Sequence, residues 1–166
     1  MKIKTFLRTG YFLVFFAIKI IACAQDNELS FDRSAFYQAM ASEKRNLVDD
    51  QLSVLKNISI TGKQAFEGAL LMKKAGLSGS PDKKLSLFKS GHKKLETAIH
   101  EDSTNAEFRF LRLMVQEHAP GILGYKNEIK TDSDYIRKSY KKLPGVVQEA
   151  ILDYSKKSKA LKLQDS

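Results

Sequence analysis

The sequence predicts an all-α protein of about six helices packed as stacked antiparallel pairs. Three observations carry the prediction. Apolar residues recur at three- and four-residue spacings along most of the chain, and no stretch alternates apolar with polar residues as a half-buried strand does. Only three prolines occur in 166 residues, and each falls where a helix is expected to begin or stop. That length fits one domain, spanning 25–166 beyond a leader.

Residues 1–24 have the composition of an export signal. Lys2, Lys4 and Arg8 form a basic start, residues 11–21 are apolar except for Lys19, and Ala22-Cys23-Ala24 before Gln25 is a small-x-small cleavage site. The apolar run falls short of the roughly 20 residues that a membrane span needs. Ile20-Ile21-Ala22-Cys23 also resembles a lipobox, in which Cys23 would be lipidated. The preferred expectation, cleavage after Ala24, gives a periplasmic or secreted protein; lipidation would tether it to a membrane. Cys23 is the only cysteine, so the remaining domain has neither thiol chemistry nor a disulfide.

Four cations and no acids lie in those 24 residues, so the formal charge of +9 falls to +5 beyond them. Solubility accounts for a balance of that size. Weak attraction to an anionic envelope surface is a further consequence, and nucleic acid is not an expected partner of an exported chain.

In chain order, residues 32–56 place Phe36, Met40, Leu47, Val48, Gln51 and Leu55 on one helical face, as one long helix or two broken near Ser42. Thr61-Gly62-Lys63-Gln64 has capping-box spacing for a second helix over 63–75. Small residues at Ala65, Gly68 and Ala69 would let a neighbour approach closely, at a cost in helicity for the glycine. After the joint 76–79, Ser80 and Pro81 read as N-cap and N1 of a third helix. Leu85, Phe88, His92, Leu95 and Ile99 then predict a continuous buried stripe, with Lys83, Lys93 and Lys94 opposite.

Residues 104–125 form the spine of the prediction. Thr104 and Glu107 again have capping-box spacing. Glu107, Phe108, Leu111, Met114, Val115 and His118 share one face, and Ala106, Phe110 and Leu113 a second. Pro120-Gly121 stops the helix, leaving Ile122, Leu123 and Tyr125 to fold back on the core. Thr131-Asp132-Ser133-Asp134 places acids where the next helix's dipole favours them. Tyr135, Ile136, Tyr140 and Leu143 line that helix. A last one after Pro144-Gly145 carries Val147, Ala150, Ile151, Tyr154 and Leu161, and the lysine-rich tail beyond Ser155 is expected to fray.

The run from Leu95-Glu96-Thr97-Ala98 through Asn105-Ala106-Glu107 resembles a junction between tetratricopeptide (TPR) units: an Ala-containing helix, a short polar turn, then Asn-Ala-Glu opening the next helix. The usual turn proline is missing, and no second copy stands at a fixed period. Phe66-Glu67-Gly68-Ala69-Leu70-Leu71-Met72, Lys84-Leu85-Ser86-Leu87-Phe88, Arg109-Phe110-Leu111-Arg112, Gln116-Glu117 and Ala119-Pro120, with the Ala24-Gln25 junction, resemble a group of exported TPR-like helical proteins of Bacteroidota. The resemblance implies a helical fold and export, and nothing about activity.

Between the two apolar faces of the central helix, Arg109, Arg112 and Gln116 form a polar stripe at i, i+3 and i+7. Two arginines on an enclosed helix must reach solvent, a groove or a carboxylate. As a ligand site, Arg109, Arg112, Gln116 and Tyr125 would hold an anion in a groove, the guanidiniums engaging it bidentately. The favoured alternative is internal pairing with an acid such as Glu67, Glu117 or Glu128. His92, Glu96 and His100 lie at i, i+4 and i+8, but no further ligand completes a metal site, so none is expected. Gly-x-Ser-x-Gly, a phosphate-binding Gly-rich loop and His-Glu-x-x-His are all missing. The sequence thus predicts a cofactor-free, non-catalytic binding or scaffolding protein that recognises a peptide or an envelope component. The alternative is an enzyme acting on an anionic envelope substrate through Arg109, Arg112 and an acid such as Glu117, whose mark would be a raised pKa.

Overall fold

The computed structural model describes residues 31–163. The expected export signal, its cleavage junction and Cys23 lie outside the described residues. Within them the chain forms α1 (Arg33–Ala41), α2 (Arg45–Asn57), α3 (Lys63–Gly76), α4 (Pro81–Glu101), α5 (Ala106–His118), α6 (Ile129–Ser139) and α7 (Gly145–Ser155). Short 3-10 turns occur at Gly121–Leu123 and Tyr140–Lys142, and no strand is present among the described residues. The all-α expectation holds. There are seven α-helices rather than six because the first segment divides at Ser42, whose backbone is extended and whose Oγ accepts from the Lys44 N–H at 2.9 Å. None of these helices is long and apolar enough to cross a membrane.

The tightest packing joins α3 to α4 as an antiparallel hairpin, and two glycines make it possible. A Cβ on Gly68 would sit 2.7 Å from the Gly91 carbonyl oxygen, and one on Gly91 would sit 2.5 Å from the Gly68 carbonyl oxygen. The helix backbones therefore touch, which no residue with a side chain permits. Ser80 accepts from the Lys83 N–H and Pro81 occupies N1, so α4 begins as its sequence predicts.

The spine α5 packs against α3, α4 and α6, with Phe110, Leu111 and Leu113 fully buried. Aromatic rings join the first helix to α3 and to the spine: Phe36 meets Phe66 of α3 edge-on at 5.2 Å, and Tyr37 lies 5.7 Å from Phe110 of α5. Glu107 reinforces this junction, accepting from Arg33 Nε and from the Tyr37 hydroxyl, each at 3.0 Å.

Several expectations need correction. Neither capping box forms. Gly62, left-handed at φ +72°, precedes α3 without a side-chain cap, and a Cβ there would lie 2.1 Å from the Phe108 ring. Asn105 rather than Thr104 caps α5, which frees Glu107 for the contacts with α1. Residues 156–163 are not a frayed tail, since Ser158 and Leu161 are buried. Tyr125 folds back on the core, but Ile122 is 95% exposed and Leu123 is exposed beside it. The α4 stripe is buried only at its C-terminal end: Leu95 and Ile99 are covered, whereas Leu85 is 46% exposed.

Candidate functional site

The polar stripe on α5 meets an internal acid. Asp132, in the first turn of α6, has a fully buried side chain and lies across from both arginines. Arg112 grips it in a fork, Nε to Oδ2 at 2.7 Å and Nη2 to Oδ1 at 2.8 Å, while Arg109 Nη1 donates to Oδ1 at 3.0 Å. Arg109 also donates from Nε and Nη2 to the Ser103 carbonyl and lies over the Tyr135 ring at 4.6 Å. Arg112 Nη1 donates to Glu96, and Glu96 in turn accepts from the Tyr125 hydroxyl at 2.5 Å.

The carboxylates that engage these guanidiniums are therefore Asp132 and Glu96, not Glu67, Glu117 or Glu128. Glu67 is taken by Lys94 at 2.7 Å. Burial opposes the charge on Arg112, but the Asp132 and Glu96 contacts outweigh it and raise its pKa, so the guanidinium stays charged. Burial first, then the Glu96 carboxylate, raises the Tyr125 pKa and keeps the phenol protonated. Gln116 is buried, with its Oε1 lacking a partner. The structure brings Arg109, Arg112 and Tyr125 into one network around Asp132 and Glu96, and none of the four expected site residues lines the large open cleft.

His92 stacks near Phe88 and meets Tyr125 edge-on at 4.6 Å, whereas His100 is exposed. No cluster of three or more potential metal ligands occurs among the described residues. Glu117 accepts four hydrogen bonds: from the Tyr154 hydroxyl and Ser158 Oγ at 2.6 Å each, and from the Lys159 and Ala160 N–H groups at 2.9 and 3.0 Å. Burial pushes its pKa up, but the Ser158, Tyr154 and backbone donors prevail and the net shift is downward. That direction is opposite to the mark of a catalytic acid. Glu117 instead clasps the C-terminal segment to α5.

The open site lies elsewhere. The C-terminal end of α3, the first turns of α4, α1 and α7 line a cleft. The C-terminal end of α5 and the 119–123 turn complete it. Its volume is about 810 Å³, within the roughly 300–1,000 Å³ of ligand clefts. The cleft is open to solvent rather than enclosed, and its lining is mainly apolar.

Met40, Met72 and Met114, the three methionines among the described residues, all line it from three different helices, each as a largely buried residue of the core that borders the cleft. Leu85, Phe88, Ile122 and Leu123 contribute the exposed and half-buried apolar surface that the core leaves uncovered. Both signs of charge border it, with Lys84 from α4, the Lys73–Glu43 ion pair, and Glu149 and Lys157 from α7 and its end.

Sequence reasoning missed this site. Its one local signal was the front half of the α4 stripe, an apolar face that lacks a partner helix. The chain matches no known protein family, no curated protein and no solved structure.

Proposed function

We propose that the protein is an exported binding protein, without catalysis, that recognises a peptide partner in the apolar cleft bounded by α1, α3, α4, α5 and α7. The observation that carries this reading is the convergence of Met40, Met72 and Met114 on one open cleft. Methionine is unbranched and polarizable, so it adapts to partners of different shape and is favoured on surfaces that bind apolar peptides. Exposed Leu85 and Ile122 extend that surface to the mouth, where isolated apolar residues would otherwise gain nothing. In this reading the α3–α4 and α5–α6 hairpins act as a short TPR-like scaffold that holds the cleft, and the arginine stripe fixes the register between helices. Export rests on the residues of the 1–24 segment.

Photo-crosslinking tests the reading. A crosslinking amino acid at position 85 or 122 should capture a defined partner in the native envelope, and the same group at exposed His100 should not. Equal labelling from all three positions, or none from 85 and 122, contradicts it. The mass of the mature N-terminus separates cleavage before Gln25 from a lipidated Cys23.

A further inference from the structure

Resting on the cleft as the binding site, we propose that its occupant is a short amphipathic helix of mixed charge. Shape argues first. A bare acyl chain gains most from an enclosed tunnel, whereas this cleft is open to solvent. An amphipathic helix suits such a site, burying one apolar face and leaving the other in water.

The walls agree. They are helix surfaces that carry three methionines, the exposed Leu85 and the half-buried Phe88. Apolar anchors at i, i+3 or i+4 and i+7 would meet them by the same ridge-and-groove packing that joins α3 to α4.

Charge complementarity decides between a peptide and an anionic surface. Lys84 on α4, Glu149 on α7 and Lys157 just beyond α7 are all exposed, and none of them makes an ion pair among the described residues. Lys73 is held by Glu43 at 2.9 Å. A rim with free charges of opposite sign repels part of any single-sign partner. It suits a helix that sets acids against Lys84 and Lys157 and a base against Glu149.

The adaptable lining allows a generic probe. Fluorescence anisotropy of the full chain beyond the signal junction would use a labelled helical peptide with leucine anchors and both acids and bases on its polar flanks. Two controls accompany it: the same composition interrupted by two prolines, and a version with both flanks acidic. The mixed-charge helix should bind, each control should bind at least tenfold more weakly, and both Leu85→Asp and Ile122→Asp should abolish binding while circular dichroism is unchanged. Equal binding of the proline peptide overturns the helix and leaves the cleft standing as a site for extended chain. Equal binding of the all-acidic helix overturns the mixed-charge assignment. Binding of no peptide, with co-sedimentation on anionic phospholipid vesicles that Ile122→Asp abolishes, overturns both in favour of a lipid surface.

Discussion

Arg112 and Asp132 face each other across the α5–α6 interface as a two-bond fork, at 2.7 and 2.8 Å, around a carboxylate with no solvent exposure. Arg109 adds a third bond to the same carboxylate, and Glu96 holds the remaining side of Arg112. The network fixes where α6 sits on α5, and it turns the arginines away from the open cleft.

Asp132→Asn should be among the most damaging substitutions in the chain. It leaves two guanidiniums around a neutral amide, and breaking a buried pair by removing one partner costs about 3–5 kcal/mol. Urea denaturation measures the loss. A cost below about 1 kcal/mol, the scale of exposed pairs, would show that the network contributes little to stability.

Gly68→Ala and Gly91→Ala set two effects against each other. Alanine favours an isolated helix over glycine by about 1 kcal/mol, but overpacking typically costs about 1–3 kcal/mol. Here the new methyl would meet backbone rather than a flexible side chain, at 2.7 Å for Gly68 and 2.5 Å for Gly91. Both variants should therefore lower the thermal midpoint, and an increase in either would contradict contact between the two backbones.

Glu117 gives the C-terminal clasp a pH dependence of defined sign. Its pKa is lower in the folded protein than its ordinary value, so its contribution is full above the unfolded carboxylate pKa and is lost as pH falls through the folded value. The stability gap between wild type and Glu117→Gln should accordingly be wide near neutral pH and narrow under acid. Urea midpoints for both proteins across that range test it, and a gap that widens as pH falls would contradict the clasp.

Leu85→Asp separates the cleft from the core. Leu85 is 46% exposed, so the substitution should leave stability within about 0.5 kcal/mol, as at ordinary surface positions. Thermal unfolding checks this, and a larger loss would place Leu85 in the core rather than at the cleft mouth.

Local chemistry made much of the fold legible. Ser80-Pro81 starts α4 as its residue types require, and Gly68 announces a close neighbour. What stayed hidden depended on distant parts of the chain. Asp132 fits a helix-dipole acid in its own segment, yet its partners Arg109 and Arg112 lie 23 and 20 residues away. The lysines after Ser155 predict fraying, but Glu117 captures the Lys159 and Ala160 amides from 42 and 43 residues away.

The α4 stripe shows the same limit for the site. Periodicity reveals that Leu85 and Phe88 share a face with Leu95, but not where the covering helix ends. The cleft occupies that gap, and the three methionines meet there only once α1, α3 and α5 have packed.

The most direct test of the cleft as the binding site is a methyl NMR spectrum of the protein labelled with 13C at its methionine methyls, recorded while a binding peptide is added. The Met40, Met72 and Met114 signals should all shift on binding, and Leu85→Asp should remove the shifts. A peptide that binds while those three signals stay in place would contradict the assignment.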